Sequence, residues 1–114
     1  MLRFAAAVTA AALRVPSNAF AHHGWSSYDS SKEIDVSVQL RDVRWSNPHG
    51  SAKAVYKRQL WTVVLAPVSR MEARGLTRAM LRKPVRLIGY PRSDGTREMR
   101  IERVVATGKT IELR

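Results

Sequence analysis

Between Glu33 and Trp45 the apolar residues alternate, and then the alternation slips. Ile34, Val36, Val38 and Leu40 fall on one face of an extended chain, with Asp35, Ser37, Gln39 and Arg41 on the other. This is the period of two that a half-buried strand requires. The apolar phase then moves to Val43 and Trp45. A change from even to odd positions needs one extra residue, so a bulge is expected near Arg41-Asp42. A long first strand that bends at a bulge is what a small curled barrel needs to turn its corner.

The rest of the chain continues in the same style. Ser46-Asn47-Pro48-His49-Gly50 reads as a loop by composition. Ser51 to Lys57 reads as a second, weaker strand, and Lys57-Arg58-Gln59 can turn it. Leu60 to Ala66 is the most apolar strand, with hydrophobic residues on both faces, and is expected to be central and covered on each side. Pro67 ends it. "SRMEARG" reads as a short helix in which Ser69 caps the first turn, Glu72 completes a capping box and Gly75 supplies a left-handed stop. Thr77 to Leu81 reads as a second helical turn with its own capping hydroxyl, and Pro84 keeps it from running on.

Val85 to Tyr90 is the next strand, and Ser93-Asp94-Gly95 is a hairpin signal. In the strand Thr96 to Val105, Met99, Ile101, Arg103 and Val105 share one face. Glu98, Arg100 and Glu102 share the other and alternate in sign, the pattern of a solvated face. Thr107-Gly108 turns the chain into a last short strand, Thr110 to Leu113. The order is three strands, a helical segment, then two or three strands. It predicts a mainly β chain: a small OB-like five- to six-stranded Greek-key barrel with a short helical segment between the third and fourth strands. A meander with a helical insertion is the alternative.

Upstream of the domain, residues 1–21 read as a secretory signal peptide: Met1-Leu2-Arg3, an alanine-rich apolar run from Phe4 to Leu13, a breaker region with Pro16, and small residues at Ala19 and Ala21. The apolar run is too short to span a bilayer, which takes roughly 20 residues. Arg14 is an unusual charge for such a run, and an amphipathic N-terminal helix is the competing reading. Cleavage after Ala21 would leave an arm over residues 22–32, polar and turn-rich and read as extended, and a domain over residues 33–114. The expected address is outside the inner membrane, most simply the periplasm. The chain has no cysteine, so thiolate metal sites are excluded and a modest core must hold without disulfides.

The chain carries a formal net charge of +11, and loss of Arg3 and Arg14 with the signal would lower it by two. In the cytosol such a charge would suggest nucleic acid. Export removes that ligand and leaves an anionic glycan, a lipid surface or an acidic partner protein as candidates. A self-repelling soluble surface with no dedicated partner explains the charge equally well.

Only three histidines are present: His22, His23 and His49. With cleavage after Ala21, the His22 amine and its imidazole Nδ1 can bind one metal ion together. An imidazole from His49 would complete a three-nitrogen, T-shaped set, with His23 as the competing ligand. Tetragonal nitrogen ligation suits Cu(II), the tightest binder of the divalent first-row series. Pro48 stiffens the approach to His49, Gly50 lets the backbone turn away, and Trp25 and Trp45 are near enough in sequence to wall such a site. The plain readings are that His49 bonds its own loop, that Asn47 forms an Asx turn, and that a His-His terminus binds copper adventitiously.

Catalysis is not expected. Ser26 and Ser27 lie near His23 and Asp29 without the strained turn of a nucleophile elbow. Asp29, Glu33 and Asp35 read as a solvated acidic edge. The one exception would be copper redox chemistry of the histidine-brace type. Arg70, Arg74, Arg78 and Arg82 stand four residues apart, but Gly75 and Thr77 break the register and leave scattered solvated arginines. Trp61, Tyr56 and Tyr90 with Trp25 and Trp45 would suit stacking on single strands, yet Trp61 and Tyr90 fit equally well as core or barrel wall.

"HHGWSSYD", "VRWSNPHG", "VVLAPVSRMEARGL", "IGYPRSDGTREMRIERV" and "GKTIELR", in that order, resemble the small exported bacterial proteins of the DUF6152 family. The resemblance covers nearly all of the chain after residue 21 and implies no established activity. It implies an exported small all-β domain, with His22, His23, Trp25, Asn47, Pro48 and His49 matching the family's motifs. Arg82-Lys83-Pro84 departs from it, where a glycine-containing turn would be expected. The sequence thus points to a small exported binding protein. A Cu(II)-type metal at His22, His23 and His49 is the leading reading, with Trp25, Trp45 and Asn47 as neighbours. A non-metal module meeting an anionic surface or acidic protein is the rival.

Overall fold

The structure is a computed structural model that describes residues 24–114. The signal reading, His22 and His23 lie outside the described residues. Among the described residues, seven strands form a single curled sheet: β1 (Ile34–Val38), β2 (Arg41–Arg44), β3 (Ser51–Tyr56), β4 (Gln59–Val64), β5 (Val85–Pro91), β6 (Glu98–Ala106) and β7 (Lys109–Glu112). One short helix, α1 (Val68–Ala73), and a 3-10 turn (Arg78–Arg82) lie between β4 and β5.

The expected bend in the first strand is present. β1 pairs antiparallel with β5, and β2 pairs antiparallel with β3. The register of β2 shifts between Arg41 and Arg44, and Asp42 takes a positive φ of 49°. The sheet order is β1-β5-β6-β4-β3-β2. Its two end strands are therefore the two halves of one bent segment, which is how an OB-like sheet curls back on itself. β4 and β6 run parallel, and the helical segment makes the crossover between the two halves of the sheet. β5 holds one edge of β6. The other edge is shared, with β4 at Glu98–Arg100 and β7 at Arg103–Ala106.

The core collects Ile34 and Leu40 from the bent strand, Ala52, Ala54 and Val63 from β3 and β4, and Leu65, Met71, Leu76 and Leu81 from the crossover. Leu87, Met99, Ile101, Val104 and Ile111 come from the later strands. Each large apolar side chain removed from water in this way contributes about 1.5–3 kcal/mol. α1 belongs to this core through Met71, which is fully buried.

Four local expectations are corrected. β4 is central in the sheet, but its outer face is covered only toward Val64, under the arm: Leu60 is 52 % exposed, and Trp61, on the inner face, is half-buried against Tyr56. A run of apolar residues marks strand position here without a second covering layer. Ser69 does not cap α1. Pro67 holds the N-cap position without a side-chain bond, and Ser69 falls inside the first turn. The helix stop is as expected, because Gly75 takes φ +93° while Leu76 N–H and Gly75 N–H bond back to Met71 and Glu72.

The third correction concerns β6. Gly89 pairs with Ile101 while Ile88 pairs with Arg103, so Glu102 is an extra residue. The inward face changes there from Met99 and Ile101 to Val104 and Ala106, leaving Arg103 and Val105 only half-buried. The fourth concerns the arginines of the crossover. Arg70 Nη1 donates to Leu113 O at 3.0 Å, and Arg74 Nη1 donates to Glu112 O at 2.8 Å. They tie down the carboxy-terminal strand instead of standing free in solvent.

Candidate functional site

The arm does not extend away from the domain. Gly24–Ser27 forms a 3-10 turn, which Gly24 enters at φ +62°. The segment after it docks on the end of β5. Asp29 N–H bonds Pro91 O at 2.8 Å, Ser93 N–H bonds Ser27 O at 3.0 Å, and Tyr28 bridges to Arg92. Trp25 lies edge-on to Tyr90 with ring centres 6.2 Å apart.

Docking of the arm roofs a cleft of about 360 Å³, lined among others by Gly24, Ser27, Tyr28, His49, Arg92 and Arg100. The floor comes from Ser51 on β3, Val64 on β4, and Glu98 and Arg100 on β6. His49 enters from the loop before β3. Its successor Gly50 is buried because the loop rejoins the sheet there: Gly50 N–H bonds Ala66 O, and Leu65 N–H bonds Gly50 O, both at 2.9 Å. A Cβ on Gly50 would meet Met71 Cε at 2.7 Å. The glycine lets the Met71 side chain of α1 pack directly on the loop, a different reason from the backbone turn expected of it.

Glu98 is the acid of the cleft and is occupied. It accepts a 2.5 Å hydrogen bond from Tyr28 Oη and lies 3.5 Å from Arg92 Nη1. Arg92 also pairs with Asp94 at 3.2 Å. Burial, and then the bond to Glu98, push the Tyr28 phenol above the usual tyrosine range. The folded state holds this proton more tightly than the unfolded chain. Its stabilising contribution is therefore complete below the ordinary phenol pKa of about 10 and is lost as pH rises beyond it. In an alkaline titration followed by tyrosinate absorbance, Tyr28 should ionise above the usual tyrosine range, together with unfolding. Tyr28→Phe should remove that late step. A step of full three-tyrosine amplitude near pH 10 in folded protein would contradict the Tyr28–Glu98 bond.

Arg100 was expected on a solvated face and is instead 9 % exposed. The strand does turn this side chain outward, away from Met99 and Ile101, but the arm then folds over it. Its guanidinium carbon lies 4.6 Å from the Trp25 ring centre and 6.0 Å from that of Tyr28. Arg114 stacks on the same indole at 4.7 Å. Arg100 Nε is buried and has no hydrogen-bond partner among the described residues. No sequence signal marked Arg100, since alternating charge on a strand ordinarily means solvent.

The other sequence candidates are dispersed. Trp25 lines an adjoining cleft with Tyr90 and Arg114. Trp45 packs on the core and donates from Nε1 to Glu72 Oε2 at 3.2 Å, which fastens β2 to α1. Asn47 is exposed in the loop. Asp29 accepts bonds from Ser31, and Asp35 pairs with Arg86 at 2.7 Å. Among the described residues, no three His, Cys, Asp or Glu side chains gather as a metal-ligating group.

Residues 10–101 match a family of unknown function, DUF6152. The chain belongs to this family. The match begins ahead of the arm, at residue 10, and runs through the arm, the His49 loop and β5 to the middle of β6, so it spans every segment that lines the cleft. No curated protein shows significant sequence similarity to the chain. No helix among the described residues is long and apolar enough to cross a membrane.

Proposed function

We propose that this DUF6152 member is an exported binding protein, not an enzyme, and that it holds a Cu(II)-type ion. The ligands are the His22 amine and imidazole and the His49 imidazole, with His23 as the alternate ligand. One observation supports the reading above the others: Gly24, which directly follows His23, lines the same cleft as His49. Two segments 25 positions apart in sequence meet there, and two of the three histidines stand at the end of one of them. Nitrogen ligands from a terminal amine and two imidazoles suit Cu(II) over harder ions. Each must shed a proton before it can bind, so affinity rises with pH.

The test is intact mass and N-terminal sequencing of the exported protein, followed by Cu(II) titration of the same sample. The expected product starts at His22 and takes one copper. His49→Ala and an added residue ahead of His22 should each weaken binding by at least about tenfold, or about 1.4 kcal/mol. A start elsewhere, or an affinity no better than that of a His-His peptide and unmoved by His49→Ala, would refute the site.

A further inference from the structure

Arg100 is a largely buried cation with no carboxylate partner among the described residues, and its Nε is shut off from water. Arginine rarely becomes this buried without a carboxylate partner, because an ionised group pays a large desolvation penalty. The cleft's one acid, Glu98, is already engaged by Tyr28 and Arg92. Burial is the largest influence pushing its pKa down; Tyr28 works against it, and the like charges of Arg70 and Arg114 add to the lowering. The aromatic contacts at Trp25 and Tyr28 hold the guanidinium in position but supply no counter-charge. Ser27, Ser51 and Arg92 line the cleft beside it and carry further donors.

We propose that Arg100 forms the floor of an anion-binding subsite in this cleft, which takes a single phosphate- or sulfate-type group. A tetrahedral dianion offsets more than one cation, whereas a carboxylate brings a single charge. Guanidinium groups bind such oxyanions through paired, charge-assisted hydrogen bonds. The cleft holds a small group and is open, so the oxyanion arrives either as the free ion or on the end of a larger ligand. The inference does not rest on the metal reading, and its test is run with a chelator present.

The experiment uses the exported protein at constant ionic strength, titrated with inorganic phosphate, sulfate or acetate and followed by calorimetry and thermal melting. Phosphate and sulfate should bind saturably and raise Tm by on the order of a few degrees, with acetate much weaker. Arg100→Gln should weaken phosphate binding at least about tenfold, while Arg86→Gln, which removes a partner of Asp35 outside the cleft, should leave it unchanged. Ser27→Glu supplies an anion from within the cleft. It should raise Tm in phosphate-free buffer and abolish the phosphate response, which keeps the test decisive if Arg100→Gln folds poorly. An unsaturable response, or one retained in Arg100→Gln or Ser27→Glu, overturns the proposal. A response to glycerol phosphate equal to that of the free ion would assign the group to a larger ligand. A response to inorganic phosphate alone would assign it to the free ion.

Discussion

Gly89→Ala should lower stability by about 3 kcal/mol, seen as a fall in Tm of roughly 12–24 °C for a domain of this size. Gly89 sits on β5 where its backbone lies close against β6. A Cβ there would lie 2.2 Å from Arg100 O and 2.9 Å from Ile101 Cα. These are backbone atoms, so no rotamer change relieves the clash, and the two strands must separate. They separate next to the extra residue Glu102, where the ladder is already irregular. The comparison is Gly95→Ala, where a Cβ meets nothing within 4 Å but the backbone is left-handed at φ +86°. That change should cost only the local strain, about 1–2 kcal/mol. Melting and urea unfolding of both variants check the difference. Equal losses would mean that the close approach of β5 to β6 is not a constraint.

Arg100→Met should act in the opposite direction and raise stability by about 1–2 kcal/mol, or roughly 5–10 °C in Tm. Methionine fills a similar length without burying a charge, and it leaves no donor unsatisfied where Nε now stands. The lost cation–π contact with Trp25 works against this gain, typically by about 0.5–2 kcal/mol. Desolvation is the larger effect because Arg100 lacks a carboxylate partner among the described residues. A stabilised variant that no longer responds to phosphate would identify Arg100 as a residue kept for ligand at a cost in stability. A destabilised variant would make it a structural clamp on the arm, and the anion subsite would lose its physical motive.

Much of the frame was legible in the sequence because strand periodicity is a local property. The slip from Leu40 to Val43 located the bend, Gly75 located the helix stop, and Thr107-Gly108 located the last turn, where both residues take positive φ. The errors came where one local rule was asked a non-local question. Alternation in Glu98, Arg100 and Glu102 states which way side chains point from a strand. It does not state whether another segment covers them. The apolar run Leu60 to Ala66 was in the same position: it marked a central strand, but covering depends on what packs above it, and Leu60 stays 52 % exposed. Ser69 failed as a cap because Pro67 and Val68 began the helix earlier than the capping pattern suggested.

The candidate site divides along the same line. Sequence alone determined the number of histidines, the absence of thiolate ligands, the positive charge and the stiff Pro48–Gly50 approach, since composition and adjacency need no fold. The meeting of the His49 loop with the segment that follows His23 was decided by tertiary structure, as was the burial of Arg100 under Trp25 and Tyr28. Both depend on the arm docking against β5 through backbone hydrogen bonds at Asp29 and Ser93, and on the curl that brings β3, β4 and β6 beneath it. Backbone amides carry no residue code, so a contact made through them leaves almost no trace in the sequence.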